Sequence, residues 1–192
     1  MPSTSPDAPL PCVLVLASGR GERFRTSGGQ VHKLAAMLED RSVLEHTLAA
    51  VRASGLPWHL EDAGHPGMGD SIAAAVRATP EAAGWLVLPG DLPLVQAGTL
   101  RAIAVTLASG AEVVAPVFGG QRGHPVGFAA ALGPQLMALT GEQGASVLLR
   151  AAAQRGALLS LPVEDCGVVT DIDTLADLER AASLLRARCQ AR

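Results

Sequence analysis

The chain has 192 residues, 48% apolar and 17% charged, with a formal net charge of −3, a globular composition that argues against disorder and against broad binding to a nucleic-acid backbone. Two Trp, three Phe and no Tyr leave too few rings for a base-stacking platform. Three scattered cysteines, Cys12, Cys166 and Cys189, indicate neither a disulfide framework nor a Cys-x-x-Cys metal site and predict reduced thiols in a cytoplasmic protein, Cys12 as an inert buried one.

No run is long enough to span a membrane, and residues 1–11 lack the basic and apolar regions of a leader. Those residues hold four prolines and no periodic pattern and are expected to be disordered, with one domain over residues 12–192. Val13 to Leu16 is a continuous apolar run, expected as a strand buried on both faces. It ends in Ala17-Ser18-Gly19-Arg20-Gly21-Glu22-Arg23-Phe24. Gly19 and Gly21 allow backbone conformations in which amides converge on an anion. Arg20, Arg23 and Lys33 add positive charge, so the loop reads as phosphate-binding, the alternative being an ordinary surface turn. The long connection from Ala17 to about His32 is either a lid or a connector.

Ser42-Val43-Leu44-Glu45 is a capping box opening a helix to about Ser54. Gly55 and Pro57 stop it, and Trp58 to Glu61 forms a short strand. Gly64 to Gly69 is a glycine-rich loop, and Asp70 or Ser71 caps a helix from Ile72 to Ala78. The free amides at that helix start face a ligand, or the segment simply reverses the chain. Trp85 to Leu88 is a second buried run and ends in Pro89-Gly90-Asp91, placing Asp91 at the carboxyl end of a strand, where open α/β sheets bind ligands.

A helix over residues 97–109 and a strand over 112–117 follow. Gly119-Gly120 is a turn, and Arg122-Gly123-His124-Pro125 leads into an extended segment at Val126 to Phe128. Helical spacing covers residues 132–139 and 145–155, and a strand is expected over 158–163. Val168 to Asp173 reads as extended, so that Asp171 and Asp173 point the same way and share a ligand, unless one caps a helix and the other faces water. Thr174 caps a helix from Leu175 to Arg188.

Alternating strands and helices predict a mainly parallel sheet with helices on both faces. Carboxylates facing a triphosphate call for a hard cation, and Mg²⁺ suits one or two carboxylates with phosphate and water completing its shell. Arg23 and Lys33 then neutralise phosphate charge, and direct displacement by a substrate oxygen is the simplest reaction. The loop is not a Walker A sequence. Phe24 also replaces the third glycine of the dinucleotide fingerprint, although Glu39 lies near the distance expected of a ribose-binding acid, which keeps an NAD-binding enzyme as an alternative.

Taken together, Leu16 to Phe24 with Lys33, Gly67-Met68-Gly69-Asp70-Ser71, Pro89-Gly90-Asp91-Leu92-Pro93, Arg122-Gly123-His124-Pro125, Gly141-Glu142-Gln143-Gly144-Ala145 and Asp171-Ile172-Asp173-Thr174 resemble the MobA-like NTP transferases. The resemblance runs from about Val13 to Leu185 and is nearest the molybdenum cofactor cytidylyltransferase branch. It implies a three-layer Rossmann-like nucleotide-diphospho-sugar transferase fold. It also implies transfer of a nucleotidyl group, CMP from CTP, to a phosphorylated acceptor such as molybdopterin cofactor, with release of pyrophosphate and a molybdoenzyme as a possible partner.

On the matching positions, Arg23, Lys33 and Asp91 are the catalytic candidates, and Asp91 and Asp173 bind Mg²⁺. Leu16, Ala17, Ser18, Gly19, Arg20, Gly21, Gly67, Met68, Gly69, Ser71, Pro89 and Gly90 line the nucleotide site. Arg122, Gly123 and His124 face the acceptor. The eight residues Arg25 to His32 make a longer spacer before Lys33 than the family pattern has, and the region near residues 55–66 is shortened. Other readings are a non-catalytic nucleotide-binding or cofactor-delivery module and a sugar-1-phosphate nucleotidyltransferase.

Overall fold

A computed structural model describes residues 10–190. The disorder expected of residues 1–11 therefore falls, for residues 1–9, outside the described part. The elements in chain order are β1 (Cys12–Leu16), α1 (Glu22–Thr26), β2 (Met37–Leu38), β3 (Arg41–Ser42), α2 (Val43–Ser54), β4 (Trp58–Glu61), α3 (Met68–Ala78), β5 (Gly84–Pro89) and α4 (Ala97–Ala108). After them come β6 (Val113–Phe118), β7 (Gln121–Arg122), β8 (Val126–Ala129), α5 (Gly133–Met137), α6 (Ser146–Gln154), β9 (Leu158–Pro162) and α7 (Leu175–Gln190).

Seven strands form one sheet in the order β4-β1-β5-β8-β6-β7, with β9 also on β6. β4, β1 and β5 pair in parallel, as do β6 and β9, while β8 runs antiparallel between β5 and β6. The sheet is thus mostly parallel, five strands pointing one way and β7 and β8 the other. Alternation along the strands separates the core into two sides. Cys12, Leu14 and Leu16 pack with Ile72 and Val76 of α3, whereas Val13 and Val15 pack with Leu48 and Val51 of α2 and Leu100 and Ile103 of α4. All five residues of β1 are buried, and burial pushes the Cys12 thiol up to about 11, which keeps it protonated and inert.

The Ser42 hydroxyl accepts from the Glu45 amide at 3.3 Å, and α2 ends at Gly55 in the left-handed conformation, as its sequence signals require. The insertion of β8 is not legible from periodicity. It follows from the turn at Gly119 and Gly120, both with positive φ, which folds β7 back on β6 and sends the chain into the gap beside β5. On the other side the sheet ends at β4, and a short loop, Asp62 to Gly67, leads directly into α3. No helix among the described residues is long and apolar enough to cross a membrane.

A third cluster, Phe24, Leu34, Leu38, Val43, Leu94, Ile172 and Ala181, gathers the connections beyond the main sheet. It joins the loop after β1 to the segment that precedes α7, which bears on the site below.

Candidate functional site

Parallel register brings three loops together at one sheet edge. Leu16 at the end of β1 aligns with Glu61 of β4 and with Pro89 of β5. The Ala17 amide donates to the Glu61 carbonyl at 2.8 Å, and the Gly90 amide to the Leu16 carbonyl at 2.9 Å. Thr47, buried on α2, donates its hydroxyl to the Gly90 carbonyl at 3.0 Å. The loops bound a cavity of about 390 Å³.

The long spacer before Lys33 is folded rather than open. Phe24 is 1% exposed, and Gly29 lies so close to its ring that a Cβ there would stand 2.3 Å from Cδ1. His32 then closes the loop. Its Nδ1 accepts from the Leu34 amide at 3.3 Å, so Nε2 carries the hydrogen and donates to the Gly19 carbonyl at 2.7 Å. These contacts carry Lys33 back to the start of the glycine loop.

Lys33 Nζ donates to Asp91 Oδ2 at 2.6 Å and to Asp173 Oδ1 at 2.8 Å, and Arg23 pairs with the second oxygen of Asp173. Burial acts to lower the lysine pKa, but the Asp91 charge and the hydrogen bonds to both carboxylates outweigh it and hold the pKa above its usual value. Asp173 is placed by its neighbours, since the Ile172 amide donates to the Asp91 carbonyl at 3.0 Å and the Asp177 carboxylate accepts from the Asp173 amide at 3.2 Å.

Asp91 Oδ1 is buried and has no hydrogen-bond partner among the described residues, an expensive state for a carboxylate oxygen unless a cation or donor reaches it. No group of three or more His, Cys, Asp or Glu is arranged for a metal among those residues. Two carboxylates beside a cavity of about 390 Å³ nevertheless suit Mg²⁺, which takes few protein ligands and completes its shell with phosphate and water.

Most of the predicted nucleotide residues line the cavity: Leu16, Ser18, Gly19, Arg20 and Gly21, then Gly67, Met68 and Ser71, then Pro89 and Gly90. Arg23, Lys33, Asp91 and Asp173 line it too. Ala17 and Gly69 do not. A Cβ on Gly69 would come within 2.7 Å of the Thr140 backbone, so this glycine serves the packing of α3 against that loop. Met68 to Ser71 is already the first turn of α3, with Gly67 at its N-cap. Asp70 does not cap its own helix but accepts from the Gly141 amide at 2.9 Å.

Arg122, Gly123 and His124 also lie outside the cavity lining. Arg122 is exposed on β7, and the Gly123 Cα faces the Val168 carbonyl, 2.2 Å from where a Cβ would stand. His124 donates its amide to that same carbonyl at 2.9 Å. Loss of hydration lowers the His124 pKa against the raising influence of Asp91 and Asp171. Of the stretch from Val168 to Asp173, Val168 and Val169 belong to a 3-10 turn, Cys166–Val169, and residues 170–173 are not part of a strand. Ile172 between the two acids is buried, and Asp173 lines the cavity while Asp171 does not. Loss of hydration, then the Asp91 and Asp173 charges, push the Asp171 carboxyl above its usual range despite an opposing backbone hydrogen bond.

Sequence reasoning passed over His65, Pro66 and Glu142, which all line the cavity, and Glu61 behind them. Glu61 is 7% exposed and accepts from His65 Nε2 at 3.0 Å, His59 Nε2 at 3.3 Å and the Ala63 amide at 3.3 Å. Burial alone would raise its pKa, but these hydrogen bonds and the His65 charge lower it. An ionised Glu61 only accepts, so His65 Nε2 carries the hydrogen. The available signal was an acid ending a strand with histidines two residues before and four after.

No curated protein matches the sequence. Among solved structures, Rv0371c from Mycobacterium tuberculosis H37Rv is 24% identical, with 92% of this chain and 98% of that one covered and a TM-score of 0.76. The same protein has also been solved in complex with manganese. A nucleotidyl transferase from Methanothermobacter thermautotroptrophicus, Mth528, is 23% identical, covering 93% and 99% of the two chains with a TM-score of 0.78. Molybdopterin-guanine dinucleotide biosynthesis protein A from Archaeoglobus fulgidus is 18% identical, covering 92% and 99% with a TM-score of 0.59. These likenesses establish the Rossmann-like fold. The family model of the MobA-like NTP transferase domain matches residues 49–157, more than half of the chain, and the protein accordingly belongs to that family of nucleotidyltransferases.

Proposed function

We propose that this nucleotidyltransferase moves CMP from CTP to a phosphorylated acceptor such as molybdopterin cofactor and releases pyrophosphate. The observation that carries the reading is the convergence of Asp91, Asp173, Lys33 and Arg23 at a glycine loop, with one Asp91 oxygen buried and unpartnered. Asp91 and Asp173 would hold Mg²⁺, which when bound polarises the phosphorus under attack and offsets charge on the triphosphate. The amides around Gly19 and Gly21 orient the phosphates, and Arg23 and Lys33 stabilise negative charge as it develops on the departing pyrophosphate. Alignment with the acceptor oxygen supplies the rest of the rate. The manganese complex of a structural neighbour supports a divalent ion in this fold. The cytidine branch motifs support CTP and a molybdoenzyme partner, and the scattered cysteines support a cytoplasmic site of action.

Asp91→Asn is expected to lower turnover by about 10²–10³-fold, the scale of losing one electrostatic contact to the transition state, with an unchanged melting curve. Full activity in that variant would overturn the assignment. Titration calorimetry with CTP, GTP, UTP, ATP and NAD, with and without Mg²⁺, tests the base, and a Mg²⁺-dependent preference for CTP is expected. The placement of Arg122 and His124 outside the cavity favours a second reading, a nucleotide-binding module for cofactor delivery. Tight CTP binding without pyrophosphate release across a panel of acceptors would select it.

A further inference from the structure

We propose that Lys33 is a displaceable stand-in for the divalent cation: its ammonium binds Asp91 and Asp173 together in the metal-free protein and leaves them as metal and triphosphate enter. This rests on the reading of Asp91 and Asp173 as metal ligands.

The geometry makes the two cations rivals. Nζ already holds one oxygen of each carboxylate, at 2.6 and 2.8 Å. Mg²⁺ needs its oxygens at about 2.0–2.1 Å. If it takes the oxygens that Lys33 holds, it occupies the ammonium's place. If it takes Asp91 Oδ1, the buried oxygen without a partner, it stands within a carboxylate's width of Nζ and two like charges repel. Either route drives the ammonium out.

The side chain suits that movement. Lys33 is the chain's one lysine, every other basic residue among the fifteen being arginine. Lysine is a compact charge on a flexible stem, whereas an arginine fork would lock both carboxylates in a planar arrangement. The stem lies against the phosphate loop, with Cγ 3.5 Å from where a Cβ on Gly21 would stand. A swing about the side-chain bonds therefore carries the ammonium from carboxylate to phosphate. The backbone stays fixed, because His32 caps the 3-10 turn Lys33–Ala35 and holds the Gly19 carbonyl. Lys33 thus couples the two ligands: metal alone must expel a well-paired ammonium, while metal with triphosphate gives it a new partner.

The test measures Mn²⁺ binding to the full chain by electron paramagnetic resonance, without nucleotide. Lys33→Gln and Lys33→Met are expected to bind Mn²⁺ at least tenfold tighter than the native chain, and Asp91→Asn at least tenfold weaker. Because the chain has one lysine, selective ¹³C labelling of that residue gives one NMR signal in the unmutated protein. Mg²⁺ should shift it along the metal saturation curve. If the Lys33 variants bind Mn²⁺ no tighter, or the signal stays fixed at saturating Mg²⁺, while Asp91→Asn has lost the metal, the stand-in is overturned and the metal site survives. If Asp91→Asn binds Mn²⁺ as well as the native chain does, the metal reading itself falls and the proposal with it.

Discussion

At the scale of single residues, the cavity is asymmetric. Neighbouring strands lie about 4.8 Å apart, so the loop after β4, which bears His65, stands about 10 Å from the loop after β5, which bears Asp91. A nucleotide with its phosphates at Lys33 and Asp91 would direct its base toward His65 and Met68. With Nε2 donating to Glu61, His65 has Nδ1 left to hydrogen-bond that base. His65→Ala is expected to weaken CTP binding by about tenfold, the scale of one hydrogen bond, and to leave pyrophosphate binding unchanged. Calorimetry with both ligands checks this, and an equal loss for both would place His65 at the phosphates instead.

At the scale of elements, the start of α7 does two tasks. Asp177 accepts from the Thr174 amide at 2.8 Å, the Thr174 hydroxyl at 2.7 Å and the Asp173 amide, a capping arrangement that also fixes Asp173. Burial opposes ionisation, but the Thr174 and Asp173 hydrogen bonds and the Arg180 charge prevail and hold the Asp177 pKa below its usual value. A depressed folded pKa stabilises fully above the unfolded value, near 3.9, and the contribution is lost as pH falls through the folded one. Asp177→Asn should thus cost about 1 kcal/mol at pH 7, with the difference from the native chain shrinking below about pH 4. Chemical denaturation at both pH values measures it, and a difference independent of pH would exclude the ionised cap.

At the scale of the whole molecule, Asp165 joins regions far apart in sequence. It is 2% exposed and accepts from the Gln96 amide and the Thr99 hydroxyl, both at 2.8 Å, from Gln96 Nε2 at 3.1 Å and from the Gly167 amide at 3.0 Å. Arg188 of α7 lies 3.7 Å away. The carboxylate thus ties the start of α4 and the end of α7 to the turn that leads to Asp173. Asp165→Ala leaves these partners unsatisfied and should cost about 3–5 kcal/mol, lowering Tm by about 10 °C for a chain of this length. A melting curve within about 2 °C of the native one would show that water replaces the carboxylate.

Local chemistry was enough to read β1, α2, β4 and the residues ending β1 and β5, because apolar runs, the Ser42 cap and the glycine turns act within a few residues. The same local signals placed Gly19, Lys33 and Asp91 in one site. Their mutual contacts required the tertiary structure, since Lys33 reaches Asp91 only after Phe24 and His32 have folded the spacer, and Asp173 arrives from 140 residues away. Antiparallel β8 and the Asp165 network were equally hidden, because each depends on pairings between distant segments that leave no periodic trace, whereas the His65–Glu61 pair spans four residues and its signal was local. Arg122 and His124 show the converse: their motif is local, but the bond to Val168 decides where it faces.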